Sequence, residues 1–321
     1  MIFAEINIYK DGINNLVICM DSGYDKLAHS LEVGSDVIKA TVDFFHDEGF
    51  IELLPVMLGK STDPLGPDPG SSVIKTAEVE YLGMQLRLMN SMILHKQVAV
   101  KKLGGKIWIL SPNVRLEKGE RKATGKHLFE FTQADFEIPN AKKEDVMRFV
   151  ERYYVNLSRK LKKSEALAKL GIEPFKFKRP FKVYTTHELE AKYGADWEIP
   201  ASKDAKQPFW ALCHKREFYD KEDPAEPGHY LNYDLIYPLG FGEALSGGER
   251  ENEYSRIISR MGKDRLAMDV YKAYLGEAEK GFLPTAGGGF GIERLVRFLT
   301  KEEHVGNVQL FRRVPGEEIT I

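Results

Sequence analysis

The stretch that most constrains this chain is residues 108–137, WILSPNVRLEKGERKATGKHLFEFTQADFE. Two strand-like runs flank a charged loop at 118–126, which predicts an antiparallel hairpin. A side-chain period of two puts Arg115 and Glu117 on one face of the first run, and Phe131, Asp135 and Glu137 on one face of the second. One arginine, three carboxylates and an aromatic ring are poor material for an apolar core. They suit a ligand with a phosphate, a flat base and an ammonium or other cationic group. Read alone, a solvated hairpin face accounts for the same residues.

Around this hairpin, strands are followed by helices without βαβ alternation. That predicts an α+β fold on a largely antiparallel sheet. Residues 1–20 read as two short strands. Leu27, Leu31, Ile38, Val42 and Phe45 recur at helical spacing over 25–47, with Gly49 as the stop. A strand is expected at 50–54, an exposed loop at 61–72 (STDPLGPDPGSS), a helix at 91–102 and a long helix at 143–170. Further strands are expected at 73–81, 84–89, 209–213 and 230–237, and two helices over 252–279. The 321 residues carry a net charge of −2, which disfavours a protein that grips nucleic acid through a basic face. Two distant cysteines, Cys19 and Cys213, argue against a disulfide framework or a cysteine metal site. No apolar run reaches about 18 residues and no leader pattern opens the chain, so a cytoplasmic protein without membrane contact is expected.

Three further segments carry chemistry. Gly287 to Gly291 reads as a glycine-rich turn opening a helix with a stripe of Ile292, Leu295, Val296 and Leu299. Arg294 falls in the first turn, where a cation opposes the helix dipole, so an anion or an aromatic base is its expected partner; Arg297 reads as a solvated charge. In GFGEALSGGER (240–250), strict alternation places Glu243, Leu245 and Gly247 on one face and Ser246 on the other. Glu243 with a nearby hydroxyl suits Mg2+, which takes one or two protein oxygens beside phosphate. Lys96 stands on an otherwise apolar helix, where a snorkelling surface lysine is the ordinary reading.

Together these segments resemble the class II aminoacyl-tRNA synthetases of the aspartyl/asparaginyl subgroup. Arg115 with Glu117, then His127 to Thr132 and Asp135, looks like motif 2, and GGGFGIERL looks like motif 3. The helix at 25–47 and the strand ending at Pro55 resemble motif 1, the dimer-forming element, and GEALSGGERE resembles the metal and amino-acid strand. The resemblance implies a single catalytic domain over 1–321 and a homodimer. It implies ATP bound by Arg115, Glu117, Arg121, His127, Leu128, Phe131, Glu243, Gly291 and Arg294, with Arg115 and Arg294 catalytic. Phe131 would stack under adenine and His127 and Arg121 would face the pyrophosphate. Glu243 and Ser246 would hold Mg2+. Ser91, Lys96, Asp135, Gly247 and Arg250 would hold aspartate, with Asp135 orienting Lys96 and Arg250 as a cationic pair around a substrate carboxylate.

Two departures shape the expected function. The helix NSMILHKQ keeps the lysine of aspartate-binding enzymes, so the pocket is expected to take a second carboxylate; Ile93 stands where a glutamine is expected. Only about 25 residues precede the motif 1 helix, too few for the OB-fold of about 100 residues that reads the anticodon. tRNA is therefore not an expected partner. The combination resembles archaeal-type asparagine synthetases related to asparaginyl-tRNA synthetase. The implied reaction joins aspartate and ATP into β-aspartyl-AMP, from which ammonia displaces AMP. The rival implied by the same resemblance is an enzyme that passes an adenylated amino acid to a tRNA or protein acceptor. His214, Glu117 and Asp135 are candidates for the base that deprotonates ammonium.

Overall fold

A computed structural model describes residues 22–65, 73–214 and 216–319; the strands expected in residues 1–20 lie outside the described residues. The chain opens with α1 (Ser22–Asp47), followed by β1 (Ile51–Glu52), β2 (Leu58–Gly59), β3 (Val73–Lys75), β4 (Glu78–Tyr81), β5 (Met84–Leu88) and α2 (Ile93–Leu103). The hairpin consists of β6 (Ile107–Val114), the short β7 (Leu116–Glu117), a 3-10 turn at Gly119–Thr124, and β8 (Glu130–Pro139). Then come α3 (Lys143–Leu161), α4 (Glu165–Lys169), β9 (Lys182–Thr185), α5 (Thr186–Tyr193), α6 (Glu198–Asp204), β10 (Phe209–Leu212), β11 (Asn232–Tyr237) and β12 (Gly242–Glu249). The chain closes with α7 (Tyr254–Lys263), α8 (Lys272–Glu279), β13 (Thr285–Gly291) and α9 (Ile292–Thr300).

Eight strands form one sheet in the order β1-β6-β8-β13-β12-β11-β10-β9, antiparallel throughout except for the outermost pair at each edge. One face of the sheet is apolar. Ala134, Phe136, Tyr233, Leu235, Leu245 and Phe290 meet Val37, Phe44 and Phe45 of α1, Phe149, Tyr153 and Tyr154 of α3, and Leu295 and Phe298 of α9. Alternation on β8 then sends Phe131, Gln133 and Asp135 to the opposite face, as the sequence pattern requires. Long helices cover one side, and the other is open for a ligand. Among the described residues no helix is long and apolar enough to cross a membrane.

Four local expectations change. The helix expected over 143–170 breaks after Leu161, because the Ser164 hydroxyl accepts from the Leu167 amide (3.3 Å) and donates to Asp36 (2.6 Å), capping a new helix. The glycine run 287–291 is not a turn but β13, an interior strand between β8 and β12. Close approach is what demands glycine there: a Cβ at Gly287 would lie 2.2 Å from the Phe136 carbonyl oxygen, and one at Gly289 would lie 2.3 Å from Asp135 Oδ1. Strict alternation fails in β12, where Glu243 faces Ile236 but Leu245 faces Leu235. The extra residue, Ala244, is a bulge that turns Glu243 and Ser246 both toward the open side while Leu245 enters the core. Arg297 is buried, because the carbonyls of Phe241 and Glu303 accept from its guanidinium and the Phe241 ring lies under it.

Candidate active site

Two adjoining clefts lie on the open face, with about 500 Å³ and about 440 Å³ of free space. The first is walled by Arg115, Glu117, Lys126, His127, Leu128, Phe131, Glu243, Gly291, Glu293 and Arg294. The second is walled by Asp63, Ser91, Ile93, Lys96, Asp135, Arg216, Tyr219, Asp220, Ser246, Gly247 and Arg250. Arg115, Gln133 and Gly289 line both, so the two spaces meet at the Arg115 guanidinium. Of the residues singled out from sequence for the site, Arg121, Glu137 and His214 belong to neither wall: Arg121 sits on the 3-10 turn, and Glu137 is fully buried against Arg250.

The first cleft is cationic around one carboxylate. Burial opposes the charge of Glu243, but Arg294, Lys126, Arg216 and Arg115 outweigh it and bring the carboxyl down to about 2. Arg294 Nη1 lies 3.1 Å from Glu243 Oε1, and Arg294 Nε donates to the Lys126 carbonyl (3.0 Å). Arg115 Nε donates to the Asn90 carbonyl (3.1 Å) and its guanidinium stands 5.3 Å from the Phe131 ring centre. His127 is driven down to about 2 by burial, then by Arg294, Lys126 and Arg121. It is a neutral hydrogen-bonding group, with Nδ1 2.6 Å from the Thr124 hydroxyl. Motif 3 is tied to motif 2 through Glu293, whose two oxygens each accept from the Thr132 amide at 3.0 Å. Burial raises this carboxyl to about 7.

The second cleft corrects the electrostatics expected from sequence. Lys96 and Arg250 are not a free cationic pair. The three N–H bonds of the Lys96 ammonium go to Asp135 Oδ1 (2.9 Å) and to the carbonyls of Phe136 and Gly288 (3.3 Å each). Arg250 Nε and Nη2 donate to Glu137 (3.1 and 3.5 Å), Nη2 also to the Gly287 carbonyl (3.1 Å), and Nη1 to Asp220 (3.1 Å). Burial works against the Arg250 charge, yet Glu137 and Asp220 outweigh it and raise its pKa. Three carboxylates thus answer two cations, all within 5% of full burial. Two valences stay open: one Nη1–H of Arg250, and Asp135 Oδ2, which is buried and has no partner among the described residues.

Several wall residues escaped the sequence reading. Asp63 accepts from the Tyr219 hydroxyl (3.0 Å) and the Leu65 amide (3.0 Å), and burial raises its pKa. Arg216 donates to both the Ser246 hydroxyl and Asp234. All lie in loops without periodicity; the one available signal was the run Arg216-Glu217-Phe218-Tyr219-Asp220, which mixes charges with aromatic rings inside an otherwise polar loop. His214 is partly buried beside Asp234 (3.3 Å), and desolvation lowers its pKa. It is absent from both walls, whereas the other two base candidates, Glu117 and Asp135, line the first and second clefts.

For Mg2+ the donor set fits in part. Glu243 is ionised and faces the first cleft, but the Ser246 hydroxyl is engaged by Arg216, and no group of three His, Cys, Asp or Glu converges among the described residues. Such a site suits an ion that draws most of its oxygens from phosphates and water.

A family model described as tRNA synthetases class II (D, K and N) matches residues 17–315. Among curated proteins, the asparagine–tRNA ligases of Thermococcus gammatolerans and Thermococcus kodakarensis are 28% and 27% identical, each match covering 91% of this chain and 70% of the relative. Asparaginyl-tRNA synthetase from Pyrococcus horikoshii, solved with asparaginyl-adenylate, superposes with a TM-score of 0.80 at 25% identity, covering 92% of this chain and 70% of that one. Aspartyl-tRNA synthetase from Entamoeba histolytica shares the fold at a TM-score of 0.72 and 19% identity, covering 91% and 59%.

Proposed function

The chain belongs to the class II tRNA synthetases of the D, K and N type, and from that premise we propose that it adenylates asparagine with ATP and passes the aminoacyl group to tRNA. The observation that carries this reading is the junction of the two clefts at Arg115. A nucleotide in the first cleft, between Phe131 and Arg294, presents its α-phosphate to the amino acid in the second. A carboxylate oxygen attacks that phosphorus and the bond to the β-phosphate breaks, releasing pyrophosphate. The acceptor hydroxyl then attacks the acyl carbon and AMP leaves. Arg115 and Arg294 offset the charge that grows on the phosphates, and fixed charges of this kind carry most of such a rate enhancement. Mg2+ held by Glu243 would add a Lewis acid on the phosphate oxygens.

Asparagine is favoured over aspartate by the hydrogen bonds left open. A side-chain carboxamide has one acceptor and one donor group, and the cleft wall holds one Arg250 N–H and the buried Asp135 Oδ2 without partners among the described residues, which a small shift of the wall on binding would turn toward it. A second carboxylate would set its charge against that oxygen, a repulsion that selects against it. The relatives named as asparagine–tRNA ligases support the same amino acid, and favour tRNA as acceptor over the expectation from net charge. A homodimer fits the exposed apolar residues Leu54, Ile74, Tyr81 and Leu82 around the short strands after α1.

One observation favours a second reading, in which aspartate is activated and ammonia captures the adenylate. The Lys96 ammonium and the Arg250 guanidinium stand in one cleft, and a second carboxylate would find both if Asp135 turned away. The test incubates the protein with ATP and Mg2+, in one arm with asparagine and tRNA, in the other with aspartate and ammonium. Aminoacyl-tRNA in the first arm supports the proposal; asparagine and AMP in the second, with none in the first, overturns it.

A further inference from the structure

Away from both clefts, two histidines meet at the surface. His187, in the first turn of α5, and His229, before β11, bring their Nε2 atoms within 3.2 Å. Their ring centres are 5.1 Å apart at an interplanar angle of 47°. On the other edge of His229, Nδ1 lies 2.6 Å from Glu226 Oε2. If Nδ1 carries the proton toward the carboxylate, the Nε2 lone pair points at His187. This is the carboxylate–histidine arrangement that orients metal-binding imidazoles.

The spacing discriminates between a plain imidazole–imidazole hydrogen bond and a shared ion. Two nitrogens about 2.05 Å from a tetrahedral ion lie ~3.3 Å apart, with ring centres ~5.2 Å apart. A linear hydrogen bond of the observed length would put the centres at ~5.5 Å. The observed 3.2 and 5.1 Å lie nearer the converging geometry than the linear one. Among the described residues no third His, Cys, Asp or Glu joins them as a direct ligand, so water would complete the coordination.

We propose that His187 and His229, with Glu226 behind His229, form a site for a nitrogen-preferring divalent transition ion such as Zn2+ or Co2+. Oxygen-preferring Mg2+ is excluded by the imidazole donors. The ion would join α5, which follows the edge strand β9, to the connection between β10 and β11. That same connection carries Arg216, Tyr219 and Asp220 to the wall of the amino-acid cleft. Its role is a staple for a loop that shapes substrate binding, and it is independent of which amino acid the cleft takes.

The test uses EDTA-stripped protein without a histidine tag, titrated with Co2+ and followed by visible absorption, and with Zn2+ alone followed by calorimetry. One equivalent with a tetrahedral Co2+ band is expected. His187→Ala and His229→Ala should each weaken that equivalent at least tenfold, and Glu226→Gln by about tenfold or more through loss of the orienting carboxylate. All three side chains are at the surface, so thermal melts without metal should match the wild type. No binding by the wild type overturns the proposal, and so does equal binding by the wild type and both alanine variants, which would mark an adventitious ion elsewhere.

Discussion

Replacing Asp135 with asparagine separates the two amino acids by the sign of its effect. The side chain keeps its volume, and its oxygen still accepts from Lys96 at the position of Oδ1. At Oδ2, a bare acceptor becomes an NH2 donor. A bound carboxamide then faces donor against donor and loses a hydrogen bond to a charged group, worth about 1.5–3 kcal/mol. That converts to roughly a 10- to 150-fold fall in kcat/KM for asparagine. Aspartate gains a donor and loses a repelling charge, so its kcat/KM rises. The KM for ATP stays within about twofold, because Asp135 lines the second cleft and not the first. Amino-acid-dependent ATP–pyrophosphate exchange measures all three quantities. Unchanged exchange with asparagine, or a parallel fall for both amino acids, would refute the hydrogen-bond reasoning.

Other consequences follow from the same geometry. If Arg294 meets the nucleotide phosphates as proposed, Arg294→Ala should lower kcat/KM for ATP by about 100-fold or more, since it removes that cation and also leaves the Glu243 charge without its ion-pair partner; near-normal exchange would remove Arg294 from the site. Glu293 has a carboxyl raised from 4.5 to about 7 by burial, so its contribution to stability is present below pH 4.5 and is lost as pH rises through 7. The loss is about 3 kcal/mol. Glu293→Gln should flatten the denaturant midpoint between pH 5 and 8, and an unchanged pH slope would assign that dependence to another group. Gly287→Ala should cost about 1–3 kcal/mol, since its methyl group meets the Phe136 carbonyl and Glu137 at 2.2–2.3 Å; a melting temperature equal to wild type would mean that β8 and β13 yield more readily than their pairing implies.

The elements that the sequence predicted well are those with one period and one buried face. α1, β8 and α9 each carry an unbroken apolar stripe, so their open-side residues, Phe131, Asp135 and Arg294 among them, follow by alternation or helical spacing. Prediction failed wherever a single residue reset the pattern. Ala244 adds one residue to β12 and brings Ser246 to the same side as Glu243, which strict alternation forbids. Ser164 starts a helix inside what reads as one helix. The consecutive glycines of β13 look like a turn because residues without side chains have no period; only the carboxylates of Asp135 and Glu137 beside them explain the strand. The charge state of the amino-acid cleft was illegible for another reason. Lys96 and Arg250 are visible as cations in the sequence, but Asp220 reaches Arg250 from a loop, and partners across a fold leave no local signal.

The central claim is that the second cleft reads a carboxamide through Asp135 and Arg250 while Arg115 faces the α-phosphate. A crystal structure of the protein with Mg2+, a non-hydrolysable ATP analogue and asparagine tests it most directly. The account predicts the side-chain amide nitrogen within about 3 Å of Asp135 Oδ2, the amide oxygen on Arg250 Nη1, and the α-carboxylate toward Arg115. Asparagine bound with its amide away from both groups, or displaced by aspartate held on Lys96 and Arg250, would contradict it.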